Sequence, residues 1–421
     1  MTAATPLKFY NLARMYVTSV GTGTATLGAA VPGFLTFAQA GVQDQDELCI
    51  AFQDGANSEI GTGVYTASGT TLTRVPDAST NSGSPINLSG TAQVMILSRA
   101  QDLVPEAKWN GGRLTLTSNT PVLTANTTAQ TVIFWTPYLH DHLTLPDVNG
   151  NWTAVHAAQG SVTTGVATGL AISLDTTNFL SGKLYDIFGC ISGGVPRLGY
   201  GPAWTNNTTR SAAISRAEGV WTNTASITLR FDSTHTVAVN AGNAVLLGTA
   251  IGTANGQTGM SFIPTAAAGG TANILGLANV YNTVPVIAVN QDNTASYTYG
   301  TVTWRVVNGN SNNSISYIDS LGAITVRAGF NTNQTSSTTG MSFGINRNST
   351  SATPPYGTAQ GNGAISLSTA PFTFGMFLPL LGYNTIYAME ISGSVTASTM
   401  SPVGVETTSF QNEALTLEVW L

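Results

Sequence analysis

The chain has 421 residues and a net charge of −6, with only 8% charged residues and 42% hydrophobic ones. That length exceeds what one ordinary core holds, so two or three domains are expected. The lack of any basic run argues against a nucleic-acid partner, and no stretch approaches the ~18 consecutive apolar residues of a membrane-spanning helix.

With charge far below the usual level of about a quarter of residues, the surface must be clothed in Thr, Ser, Asn and Gly. Threonine with Val, Ile, Tyr and Trp suits a pleated, half-buried surface, and 45 glycines supply turns. Residues 1–103 read as short strands, ARMYVTSV, LCIAFQ, GVYTASGTTLTRV and AQVMILSRA, with Asp54-Gly55 as a hairpin signal. A polar, Pro105-containing segment then breaks the alternation and places a boundary before Gly111. A second domain, 111–265, carries LTLTS, TVIFWTPY and HLTLPDV, a turn at Asn149-Gly150, then LAISL, KLYDIFGC, ASITLRF and AVLLGTAIG. A third, 266–421, carries TVPVIAVNQ, YTYGTVTWRVV, ISYID, AITVRAG, FTFGMFLPLLGYNTIYAMEISG and ALTLEVWL, with a long polar loop expected over Asn331 to Ala364. No period of 20 to 50 residues repeats, which weakens a solenoid reading. The expected fold is all-β: several small β-sandwich or jelly-roll-like domains in series, with little helix.

Few residues offer chemistry. His140-Asp141-His142 places two imidazoles on one side of a strand, but two histidines without a fixed third ligand make a weak metal motif. His156 and His235 read as isolated. Asp44, Asp46 and Glu47 could gather Ca²⁺, yet the spacing lacks the glycine and distal glutamate of an EF-hand, and a solvated acidic turn is expected. No pair of carboxylates can be nominated for glycoside hydrolysis. No metal, cofactor or catalytic residue is therefore expected. Cys49 and Cys190 lie in apolar strand patterns and are expected to be buried free thiols. Trp204 beside Asn206, Asn207 and Arg210 could be a sugar platform. The late aromatics Tyr297, Tyr299, Trp304, Tyr317, Phe372, Phe374, Phe377, Tyr383, Tyr387 and Trp420 are expected in the core, while Tyr356, after Pro354-Pro355, is the residue expected on a loop to contact a receptor. The N-terminus lacks the apolar core of a secretory signal, so folding in the cytoplasm is expected.

One block, KLYDIFGC followed by a glycine-rich turn and GPAWTNNTTR (Lys183 to Arg210), resembles a segment of tail-fibre, head-spike and other appendage proteins of tailed bacteriophages. The resemblance continues in order and spacing through GGRLTLTS (Gly111 to Ser118), FWTPYL (Phe134 to Leu139), the turn with Asn149, Gly150 and Trp152, and Leu247-Gly248-Thr249. The first hundred residues separately resemble a small β module at the attachment end of similar virion proteins, through GTGTATL (Gly21 to Leu27), GFLTF (Gly33 to Phe37) and DGANSEIGTGVYT (Asp54 to Thr66). The resemblance implies a virion structural protein, a fibre or spike on tail or capsid, assembled in the host cytoplasm. It implies an attachment module (1–103), a central β domain (111–265) and a C-terminal jelly-roll-like domain (266–421) facing a host-surface polysaccharide or protein. A homotrimer contacting other virion proteins, and no enzyme, is expected. The alternatives are a capsid decoration or connector protein without receptor binding, and a glycan-degrading tail spike. The resemblance also makes the Trp204 block a scaffold, with Trp204 under the turn and Arg210 tying it, and makes His140–His142 a polar turn.

Overall fold

The computed structural model describes residues 8–99, 108–217, 219–332, 334–336, 340–359, 372–395, 397–400 and 413–421. The chain is all-β, and the helical segments among the described residues are the single 3₁₀ turns Ala67–Gly69 and Val307–Gly309. No helix among them is long and apolar enough to cross a membrane. Two compact units divide at the polar segment, Met1–Glu106 and Ala107–Leu421.

In the first unit the sheet closes on itself. Glu47–Asp54 pairs with Gln93–Ile96, then Arg14–Val17, Ala25–Ala30, Thr71–Leu72 and Asn57–Thr66, which returns to Glu47–Asp54. Closure removes free edges, and alternation along Asn57–Thr66 sends every second side chain inward. Val17, Leu48, Ile50, Phe52, Leu72 and Val94 fill the interior. The expected Asp54-Gly55 hairpin forms, with Asp54 opposite Asn57 and Gly55 at φ 58°. The Arg74 guanidinium grips the Glu59 carboxylate through two hydrogen bonds of 2.7 and 2.6 Å, both side chains being almost wholly buried.

The second unit joins what the composition zones separate. Strands before and after residue 265 share sheets: Thr127–Gln130 pairs Thr258–Met260, which pairs Asn273–Leu275. Leu277–Asn279 pairs Val245–Ile251 in the sheet built on Leu184–Ser192. One hydrophobic core runs from Leu114 to Leu421. The expected boundary between 265 and 266 therefore falls inside one unit, because composition reports local chemistry while sheet pairing is settled by distant strands. A four-stranded sheet, Pro285–Asp292, Glu413–Trp420, Val326–Asn331 and Phe372–Phe377, packs its inner face, including Ala288, Phe330, Leu415 and Leu417, into that core.

The expected loop over 331–364 is also revised. Within it lie the strands Gln334–Ser336, Met341–Arg347 and Tyr356–Ala359, the second paired along its length with Gly382–Ser392. Ser, Thr and Asn hid these strands because their backbones pair as well as any other. Residues 333, 337–339 and 360–364 lie outside the described residues.

Candidate functional site

The blocks of the N-terminal half that stood out in sequence converge. Asp186 and Arg210 form a buried ion pair, Nε to Oδ2 at 2.7 Å. Thr249 donates to the same carboxylate at 2.8 Å, and the Arg210 guanidinium lies 4.3 Å from the centre of the Trp204 ring. Burial pushes the Asp186 carboxyl above its ordinary value, and the pull of Arg210 only partly offsets this. A second amine of Arg210 donates to the Ser320 carbonyl. The Trp204 indole is 3% exposed, so the sugar-platform reading fails and the packing role stands. At Gly111-Gly112 a side chain would collide with His140 and with the buried Trp135 ring, whose Nε1 donates to Asn110 at 2.8 Å.

Ser320 leads to a groove of about 380 Å³. Its floor is the outer face of the four-stranded sheet. Arg327 stands opposite Glu418 on one side and Met376 on the other, so the three side chains form a row across neighbouring strands. Trp420 is two residues beyond Glu418 and thus on the same face, 48% exposed. Arg327 and Glu418 approach to only 3.5 Å with both partly exposed, a weak pair that leaves their donors and acceptors accessible. The wall is the turn after Ser314–Asp319. Asp319 accepts from the backbone N–H groups of Leu321, Ala323 and Ile324 at 3.3, 3.0 and 3.1 Å, which shapes the turn and occupies the carboxylate. The Ser320 hydroxyl is buried beside the groove with no hydrogen-bond partner among the described residues. An exposed indole face, a guanidinium and a carboxylate together can hold a polar ring-shaped ligand by stacking and hydrogen bonds.

Tyr356 is not on a loop. It begins the strand Tyr356–Ala359, half-buried; its hydroxyl donates to the Met376 carbonyl, and its ring packs edge-on against Phe377 at 5.2 Å. It braces the strand that carries Met376 into the groove. Three aromatics expected in the core face outward: Phe372 at 59%, Phe374 at 51% and Trp420 at 48% exposure. In FTFGMF the inward positions are Thr373, Gly375 and Phe377, because the Tyr356 ring occupies the space where a side chain on Gly375 would go. Periodicity cannot choose a face when both carry apolar residues.

The acidic turn is structural: Asp46 is buried and accepts from Lys8 at 2.5 Å and Tyr10 at 2.5 Å, while Asp44 accepts from the Ala67 N–H at 2.8 Å. Glu47 opens the strand Glu47–Asp54. Both cysteines are buried, and neither is in a disulfide. His235 contacts Asp232 at 2.9 Å. His156, which read as isolated, is not: the hairpin of His142–Pro146 with Trp152–His156 sets it directly opposite His142. Asp141 contacts both, His142 Nδ1 at 3.2 Å and His156 Nδ1 at 3.2 Å. A hairpin register joining residues fourteen apart was the signal available, since Asn149-Gly150 marks its turn.

A second acidic cluster has buried carboxylates. Tyr297 lies between Glu390 and Glu413, its hydroxyl 3.1 and 3.3 Å from their oxygens, and Arg305 donates to Glu390 at 2.8 Å. Thr332 donates to Glu413 at 2.6 Å. Burial raises Glu390 to about 7 despite Arg305. Burial also drives Glu413 well above the ordinary range, with the Glu390 and Asp292 charges adding to the rise. Nearby Asp292 goes the other way: burial opposes its charge, but hydrogen bonds from Thr294, Asn308 and Asn313 outweigh burial.

No family model matches the chain, and no curated protein matches it. Among solved structures it is similar, at 10% identity and a TM-score of 0.19 over 73% of this chain, to the insecticidal delta-endotoxin Cry8Ea1 from Bacillus thuringiensis. The match spans 52% of that toxin chain, about half its length. A likeness this slight carries no argument about fold or function.

Proposed function

We propose that the chain is a structural appendage of a tailed-bacteriophage virion, mounted through its first unit and offering the Trp420 groove to a host-surface polysaccharide. The observation that carries the reading is the convergence of the resembling blocks: residues from KLYDIFGC, GPAWTNNTTR and Leu247-Gly248-Thr249 meet in one buried ion-pair network. Sequence blocks that specify a scaffold leave recognition to surfaces elsewhere on it. The groove supplies such a surface, and Arg210 ties its Ser320 wall to that scaffold. Binding is favoured over cleavage because Asp319, an acid beside the groove, is occupied by three backbone donors. A homotrimer would give the multivalency that makes a weak single-site contact useful. The rival, a decoration or connector protein, draws support from the outward apolar side chains Phe374, Met376 and Leu378, which another virion protein could cover.

The test is cell binding by the purified, labelled chain. It is expected to stain host bacteria and to be displaced by their surface polysaccharide. Trp420→Ala is expected to weaken staining roughly 30-fold, a loss of about 2 kcal/mol from an aromatic anchor, with the thermal transition unchanged. Equal staining by both proteins would remove the groove from the account, and no staining by either would favour the connector.

A further inference from the structure

The Asp141, His142 and His156 cluster is unrelated to the groove. Its three side chains offer ligand atoms that all lie within 4.8 Å of one another. Tetrahedral Zn²⁺ with nitrogen and oxygen ligands at about 2.0–2.2 Å places neighbouring ligand atoms about 3.3 Å apart. A single carboxylate oxygen, Asp141 Oδ1, lies 3.2 Å from His142 Nδ1 and 3.3 Å from His156 Nδ1, which matches that edge. The His142 and His156 ring centres are 4.0 Å apart, so both rings crowd the same small volume. We propose that Asp141, His142 and His156 form a divalent transition-metal site, with Zn²⁺ as its natural class of ion, that clasps the two open ends of the His142–Pro146 and Trp152–His156 hairpin.

The local fold prepares this arrangement. Register fixes His142 opposite His156, where paired side chains share a face. Asp141 is held beside them because its carbonyl accepts from the Ala157 N–H at 2.8 Å, just beyond the end of the opposite strand. His140 is folded back over Gly111, and its Nδ1 accepts from the His142 N–H at 3.1 Å. It thereby fixes the backbone of a ligand. Two imidazoles and one carboxylate suit Zn²⁺ and its first-row neighbours, not Ca²⁺ or Mg²⁺, which take oxygen ligands. All three side chains are about half exposed or more, so an ion reaches them without opening the fold. A solvent molecule would complete four-coordination.

The experiment is calorimetric titration of the untagged full chain with Zn²⁺, alongside visible absorption with Co²⁺. The chain holds four histidines, two of them proposed ligands and a third, His140, beside them, so background is low. One ion per chain is expected, with His142→Ala and His156→Ala each weakening binding tenfold or more and His235→Ala leaving it unchanged. Co²⁺ should give the intense visible bands of a four-coordinate site, lost in His156→Ala. Far-ultraviolet circular dichroism of the metal-free variants should match the parent, since the replaced side chains are exposed. Failure to take up one Zn²⁺ per chain, or uptake undiminished in the His142→Ala/His156→Ala double variant, would overturn the proposal.

Discussion

Replacing Arg210 by alanine is expected to destabilise the second unit by about 3–5 kcal/mol, the cost of leaving one member of a buried ion pair without its partner. Asp186 would lose its bidentate cation while remaining almost wholly buried, with the neutral Thr249 hydroxyl left as a donor to it. The Trp204 ring would lose its stacked guanidinium, and the Ser320 carbonyl its donor. Urea unfolding followed by tryptophan fluorescence measures the effect, because all seven tryptophans lie in this unit. Adding Asp186→Asn to Arg210→Ala should recover part of the loss, since it removes the stranded charge. If Arg210→Ala shifts the midpoint no more than an ordinary surface substitution, the pair is not a keystone.

The second large effect is a decline of stability with rising pH. Glu390 titrates at about 7 in the folded chain against an ordinary 4.5, because burial penalises its charge. Asp186 and Glu413 are raised for the same reason. A raised carboxyl binds its proton more tightly folded than unfolded, so stability is highest below the unfolded value and falls as pH climbs from about 4.5 through 7. For Glu390 alone the difference corresponds to roughly 3 kcal/mol. Asp46, Asp175 and Asp292 are lowered, their hydrogen bonds outweighing burial, and they withdraw stability as pH drops below their ordinary 3.8. The optimum is therefore expected near pH 4–5. Melting temperature should fall by several degrees between pH 5 and pH 8. Glu413→Gln should reduce that fall, since the amide can still accept from Thr332 without carrying charge toward Glu390. A melting temperature that is flat or rising from pH 5 to 8 would contradict this picture of the cluster.

Much of the fold was legible because strand alternation is local. The Asn57–Thr66 strand and the Asp54-Gly55 hairpin could be read directly from residue type. What escaped was non-local. Nothing in the sequence around Leu277–Asn279 says that it joins Val245–Ile251, and so the boundary near 265 could not be seen to be false. The groove was hidden for a related reason. Trp420 ends an alternating strand and looks like core until Arg327 and Met376 are known to lie beside Glu418. Tyr356 was drawn to a loop by its prolines, although its ring serves as the packing partner that Gly375 lacks. Trp204 and Arg210 were given a packing role only by the resemblance; both side chains are buried or nearly so, but the partner acid, Asp186, was not singled out, because a strand pattern does not show which side chains meet.

The central claim, that this chain is a virion appendage, is tested most directly by imaging particles produced from a phage genome that carries its gene, with the second unit labelled. The account predicts label on every particle at tail or capsid attachment points, three chains at each, with the Met1–Glu106 unit toward the particle and the Ala107–Leu421 unit outward. Particles of normal form that contain no copy of the chain would contradict it.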